Sequence, residues 1–406
     1  MRLKRLTITN FRGISHLDLT LSDAQTTVLV GVNGAGKSSV LDAIAVTIWD
    51  DPIPVRQFQP EDIHIGQSAI HIEAFLQTPH HSGEHKILKR EIHAHLPDRR
   101  GALQINRSTS GKVAPQHFCL SYYPVERMVP FRPVAPAGNT ANDDGFDRAI
   151  SVDYASFFGW YEEREDLENE RIREHPTYRD PELEVVRKAV ESLLPGFRKL
   201  RVRRARTQPG ARPGRSRLVV TKDDQQLELG QLSHGERELL AMAGDIATGL
   251  AVHGDTSLEP HLRPGIVLID EIDLHLHPKW QREVIPLLEA AFPNVQFIVT
   301  THSPQVLSGL HPDSIIILDK FTRVADTPPT YGRDSNAILT DLMGVEERPH
   351  FAALRLHAIA KLMDAERWAD ARAALDALAR DFGEHDAEVV RLRTMLDVLA
   401  SPAGDE

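Results

Sequence analysis

The 406-residue chain is long enough to bury at least one large core, and its length implies two or three lobes. With 41% hydrophobic and 26% charged residues, no apolar run near the about eighteen of a membrane span, and a start ("MRLKRLTITNFRG") that goes straight into strand-like alternation, neither a signal peptide nor a membrane anchor is expected. A net charge of −11 excludes a polycation that coats nucleic acid, and the single cysteine, Cys119, excludes a disulfide framework and suits a reducing cytoplasm.

In chain order, residues 2–20 alternate with period two and break at Arg12-Gly13, the pattern of a β-hairpin. "TTVLVG" predicts a short buried strand, followed by a glycine loop and an amphipathic helix, "SSVLDAIAVTIW". "AIHIEAFL", "HKILKREIHAHL" and "HFCLSYYPV" predict further strands separated by turn residues. Pro130 to Gly145 is a Pro/Gly/Asn-rich loop. A charged helical stretch follows from Tyr154 to Leu194, broken near Pro176, with no heptad pattern sustained beyond a few turns. Strands resume at Phe197 and again at "SRLVVT" and "QLELG", and "ERELLAMAGDIATGL" is a helix. "GIVLID" and "VQFIVTTH" have parallel-strand character and flank the helix "PKWQREVIPLLEAAF"; "SIIILD" is a last strand. From Phe351 onward the chain is alanine- and leucine-rich, predicting two or three helices. These elements divide the chain into an N-terminal lobe (1–129), a loop and helical insertion (130–196), a C-terminal lobe (197–325) and a helical C-terminal region (326–406).

"VLVGVNGAGKSSV" fits G-x-x-x-x-G-K-[ST] with Gly31, Gly36, Lys37 and Ser38, in the required strand–loop–helix setting. Backbone N–H groups from Asn33, Gly34, Ala35, Gly36, Lys37, Ser38 and Ser39, with the helix N-terminus, form an anion cradle for the phosphates of ATP. Lys37 is expected to bridge the β- and γ-phosphates, and Ser38 to ligate Mg2+. "GIVLIDEIDLHLHP" puts Asp270 and Glu271 at the end of a buried strand, Asp270 to complete the metal site and Glu271 to polarise the attacking water. "IVTTHSP" leaves His302 at the same edge of a parallel sheet, where it is expected to meet the γ-phosphate or the attacking water.

"GVNGAGKSS", "LSHGERELL", "VLIDEIDLHLHP" and "VTTHSP", in this order, resemble the motif set of ABC-type ATPases, in the branch of SMC-like, RecF-like and OLD-like proteins. The resemblance implies an α/β P-loop NTPase of ABC-head type: a mixed sheet flanked by helices, an antiparallel β lobe, a helical insertion and a helical C-terminal cap. It also implies that Ser233, His234, Gly235 and Glu236 cap a γ-phosphate held by a second protomer. The same four residues read locally as an ordinary helix start, with Ser233 and Glu236 forming a capping box. His234 and Glu236 stand where a transporter turn has Gly and Gln, which argues against a transporter subunit. "YYPVER", "FFGWYEERED", "YGRDSNAILTDLMGVEERP" and the alanine-rich tail resemble compact bacterial ATPases of the Septu (PtuA) and retron-linked anti-phage group. That group implies a separate HNH nuclease as partner. Its Q-loop glutamine remains open among Gln57, Gln59 and Gln67.

The stretch between Ser39 and Leu232 is too short for a long coiled-coil arm, and no D-x-D cluster of a Toprim nuclease follows "SIIILD". Residues 197–217 hold nine Arg or Lys and no acid; Arg201, Arg203, Arg204 and Arg206 are candidates for DNA or RNA phosphates, against the alternative of a solvated hairpin face. His93 and His95 fall on one side of a strand without an evident third metal ligand. His275 and His277 stand where the ABC-type family has a subunit-facing loop, so the resemblance implies dimer contact. The leading expectation is a cytoplasmic, head-to-head dimeric or higher-oligomeric ATPase controlling an effector. The others are a RecF-like DNA-repair ATPase and a nucleotide-dependent scaffold with little turnover.

Overall fold

The computed structural model describes residues 1–48, 58–78, 86–96, 103–110, 119–125, 154–204, 216–253, 258–344 and 347–400. Gln57, Arg206 and the loop from Pro130 to Gly145 lie outside these. The described residues form two compact units, 1–338 and 339–406.

The first hairpin is β1 (Arg2–Phe11) and β2 (Ile14–Thr20), paired antiparallel. It turns at Arg12-Gly13, with Arg12 in the left-handed region at φ 51°. Next come β3 (Thr26–Val30), every residue of which is buried, and α1 (Lys37–Ile48). β4 (Ala69–Thr78), β5 (Lys86–His95) and β6 (Gln104–Ser110) extend the hairpin into an antiparallel sheet of order β2-β1-β4-β5-β6. Alternate residues of β4 are buried, so one face of this sheet packs inward. β6 is exposed at every position. It has no apolar period, which is why the sequence pattern does not announce it.

β7 (Cys119–Tyr123) departs from that meander. It pairs parallel with β11 (Gly265–Ile269), in the register Gly265↔Cys119 to Ile269↔Tyr123. Between them in sequence lie α2 (Tyr154–Glu174), α3 (Pro181–Leu193) and the antiparallel ribbon β8 (Phe197–Arg203), β9 (Arg217–Lys222) and β10 (Gln225–Glu228), then α4 (His234–His253). Asp180 starts α3 by accepting from the backbone N–H groups of Glu182 and Leu183, with Pro181 at the first helical position. Arg187 of α3 binds Glu168 of α2 through both terminal nitrogens, at 3.0 and 2.7 Å, so the helical insertion is clamped by a partly buried bidentate pair.

α5 (Pro278–Ala291), β12 (Val295–Thr300), α6 (Pro304–Leu307), β13 (Ile315–Asp319), β14 (Thr322–Arg323) and α7 (Ser335–Met343) follow. The second sheet has the order β14-β13-β3-β12-β11-β7 and is parallel except for β14. β3 lies at its centre, between β13 and β12. The loops that leave β3, β11 and β12 therefore emerge at one sheet edge, the carboxyl edge where open α/β sheets bind ligands. The mixed sheet, antiparallel lobe and flanking helices are the arrangement expected above for an ABC-type head.

The second unit contains α8 (His350–Asp364), α9 (Trp368–Phe382) and α10 (Ala387–Ala400), with Ile359, Leu375, Leu378, Val389 and Leu396 in its core. Among the described residues no helix is long and apolar enough to cross a membrane.

Candidate nucleotide-binding site

The phosphate loop is held from behind by the β13–β14 turn. Lys320 and Phe321 both take left-handed conformations, φ 44° and 64°, which non-glycine residues seldom adopt. The Phe321 N–H donates to the Ala35 carbonyl at 3.2 Å. Its ring lies against Gly13 so closely that a Cβ there would sit 2.1 Å from it, and it also packs on Gly36. Gly13→Ala is expected to cost about 1–3 kcal/mol through this clash. Thermal melts would show a midpoint lowered by several degrees together with weaker ATP binding.

In front, Lys37 is buried and its ammonium donates to the Gly31 and Val32 carbonyls at 2.9 and 3.2 Å. Burial lowers its pKa, opposed by the negative charges of Asp270, Glu271 and Asp273. The lysine thus lies within the field of the acidic loop after β11. Asn33, Gly34 and Ser38 are exposed, Ser39 is half-buried, and Ala35 and Gly36 are buried.

Two threonines stitch the acidic loop to the end of β12. The Thr300 hydroxyl donates to Asp270 and accepts the Glu271 N–H at 2.7 Å. The Thr301 hydroxyl donates to Asp273, whose same oxygen accepts the His302 N–H at 3.3 Å. Glu271 is itself left-handed, φ 48°. Such strain persists only where surrounding bonds hold it, and it is common at reacting groups. Asp270 is buried, while Glu271 and His302 are half-exposed at the edge. Ser303 then caps α6, accepting from the Gln305 N–H and donating to Gln281.

Arg12, which sequence reasoning did not single out, stands beside α1. Its guanidinium meets Asp42 at 2.6 Å, Asp62 at 2.9 Å and the Ser39 hydroxyl at 3.3 Å. Burial works against its charge, but Asp42 and Asp62 outweigh it and raise its pKa. Tyr122 donates to Asp42 at 2.7 Å, so β7 is tied to the same network. Gln59, exposed, donates its N–H to Asp62 at 2.9 Å and so borders this network; Gln67 is exposed.

At the "LSHGE" turn the capping box is present. The Glu236 carboxylate accepts the Ser233 N–H at 2.9 Å, and the Ser233 hydroxyl accepts the Glu236 N–H at 3.3 Å. Burial would raise the Glu236 pKa, but Lys222 at 2.6 Å and the Ser233 N–H hold it below the usual range. Ser233 and His234 are exposed; Gly235 and Glu236 are buried. A Cβ on Gly235 would lie 2.6 Å from the His275 carbonyl oxygen, so only glycine lets the turn approach the loop after Glu271 this closely. His277 caps α5, accepting the Lys279 N–H at 3.3 Å.

Local acids answer part of the basic ribbon. Arg203 meets Glu228 at 3.4 Å, and Arg204 meets Glu165 at 2.8 Å and Asp166. Arg201 is exposed. His93 and His95 do share a face, with His71 beside them: ring centroids are 6.0 Å apart for His71–His93 and 5.8 Å for His93–His95.

Two family profiles match: "AAA ATPase domain" over residues 1–81 and "AAA domain, putative AbiEii toxin, Type IV TA system" over residues 136–308. The retron Ec83 probable ATPase of Escherichia coli is 36% identical over 233 residues, 56% of this chain and 41% of that protein. The retron Vc95 probable ATPase of Vibrio cholerae is 25% identical over 86% of this chain and 80% of that protein. This chain resembles retron and Septu ATPases. The Septu protein PtuA of Bacillus mycoides is 28% identical over 78% of the chain and 40% of its own length. The chain thus spans about two fifths of the Ec83 ATPase and of this PtuA, and most of the Vc95 ATPase.

Proposed function

We propose that the chain is a Mg2+-dependent ATPase of retron or Septu type whose heads pair around ATP and thereby control a separate effector, an HNH-type nuclease, in anti-phage defence. The observation that carries this reading is the convergence at one sheet edge of Lys37, Asp270, Glu271 and His302, with Lys37 in the field of the two acids. The donor set fits Mg-ATP. The loop offers backbone N–H groups at a helix start, Lys37 can exchange its two carbonyl partners for phosphate oxygens, and Ser38 and Asp270 are hard oxygen ligands of the kind Mg2+ takes. ATP supplies a phosphoanhydride bond for hydrolysis. Glu271 is assigned to hold and polarise the attacking water, with its backbone fixed by Thr300. His302 is assigned to the γ-phosphate side of that water. The turn Ser233–Glu236 is assigned to the γ-phosphate of a facing protomer through the Ser233 hydroxyl and the His234 and Gly235 N–H groups, where the dipole of α4 favours an anion, while the Glu236 carboxylate holds the turn by accepting the Ser233 N–H.

Ion pairs at Arg203 and Arg204 reduce the charge the ribbon offers to DNA or RNA. Mg-ATP turnover by the full chain, measured with and without gapped DNA and structured RNA, tests the assignment. Turnover that persists without nucleic acid fits an ATPase answering to a protein effector. Turnover that appears only with DNA would place the chain with repair ATPases, and its absence under every condition would leave a scaffold.

A further inference from the structure

His234, Glu238 and His275 meet in space although His275 lies 37 positions after Glu238. His234 and Glu238 are four apart on α4, so they project from one helix face. His275 arrives from the loop after Glu271, turned by its own left-handed backbone, φ 59°. Its Nδ1 lies 3.2 Å from the Glu238 carboxylate, and its ring meets His234 edge-on with centroids 4.2 Å apart. One ligand atom from each of the three can be chosen so that all lie within 4.8 Å of one another.

We propose that these three side chains bind a divalent transition metal of the Zn2+ class, at a site separate from the Mg2+ position at Ser38 and Asp270. Tetrahedral Zn2+ with nitrogen and oxygen ligands needs ligand–ligand edges of roughly 3.4 Å. The His275–Glu238 edge already has that length, and the remaining edges need a contraction on the order of 1 Å. Two imidazoles and one carboxylate select Zn2+, Co2+ or Ni2+ over Mg2+ and Ca2+. The Glu238 side chain is 5% exposed and that of His275 46%, so the carboxylate forms the floor and the imidazoles the rim, leaving the outer position to water. The Arg237 guanidinium lies 3.2 Å from Nδ1 of His234 and competes with an ion for that edge. A second cluster, His71, Glu73 and Glu91, is a weaker candidate because the Lys89 ammonium already sits 2.5 Å from Glu73. A loaded site ties the first turn of α4 to the loop that carries Glu271. Under the functional reading above, the ion would then make the "LSHGE" turn and the acidic loop one rigid piece.

The test uses the full chain without an affinity tag. Co2+ titration is followed by the visible absorption of tetrahedral cobalt, and Zn2+ by competition with a chromophoric chelator. One ion per chain is expected. His234→Ala and His275→Ala should each weaken binding at least ~10-fold, Arg237→Ala should strengthen it, and His71→Ala should leave it unchanged. Both substituted histidines are on the surface, and circular dichroism confirms that the variants fold. Absence of saturable binding, binding that survives the His234→Ala/His275→Ala double variant, or loss of binding in His71→Ala would each overturn the proposal. None of these readouts depends on ATP turnover, so failure here and failure of the ATPase reading are distinguishable.

Discussion

Glu271→Gln drops steady-state Mg-ATP turnover by roughly 10²–10⁴-fold, the range for loss of a positioned general base, while ATP remains bound. The substitution keeps the side chain's shape and removes only its basicity. Its backbone is held independently: the Glu271 N–H donates to Thr300, whose hydroxyl also donates to Asp270, so the strained turn survives the change. Asp270, Lys37 and Ser38 are untouched, and phosphate and Mg2+ binding should persist. The expected species is therefore an ATP-loaded dimer that accumulates, visible as a doubled mass in light scattering upon addition of ATP. Turnover near the wild-type rate would remove Glu271 from the role of base and leave His302 as the next group to test.

Lys37→Met lowers turnover by roughly 10²–10³-fold, the cost of deleting one charge-stabilising donor from a reacting centre, and also weakens ATP binding. Methionine fills the buried path of the lysine stem, so the change removes charge more than volume. The ammonium satisfies the Gly31 and Val32 carbonyls of its own loop, and with Gly31 half-buried and Val32 exposed, water can take its place there. Stability should fall little. Lys37→Met and Glu271→Gln therefore separate by their binding behaviour: the first loses nucleotide, the second retains it. Equal ATP affinity in both variants would contradict the assignment of Lys37 to the phosphates.

The parts of this site that can be read from sequence are those carried by contiguous residues. The phosphate loop between β3 and α1, the acids after β11 and the histidine after β12 each sit in a short stretch whose strand context is visible in its apolar run. The groups that hold them are not contiguous with them. Thr300 and Thr301 look like ordinary strand-end threonines until the sheet places β11 beside β12, where they become the staples of the acidic loop. Arg12 and Phe321 touch the loop or helix α1 across long sequence separations, and neither has a motif of its own. The spacing of His234 and Glu238 is visible in the chain, but their third partner is supplied only by the fold. Likewise, a five-residue strand such as β7 carries no mark of the sheet it joins. Its parallel pairing with β11 follows from packing.

The "LSHGE" turn of one protomer is proposed to close on the phosphate loop of another. The chain is well suited to a cysteine test, because its single cysteine, Cys119, is buried and burial pushes its thiol up to about 12. Val32 is 55% exposed at the loop's rim and Ser233 is exposed at the turn. A Val32→Cys/Ser233→Cys chain on the Glu271→Gln background, treated with a short bifunctional maleimide, should yield a cross-linked dimer on a denaturing gel with Mg-ATP and none with ADP. Cross-linking confined to single chains, or a dimer band that forms equally without ATP, would contradict the composite pocket.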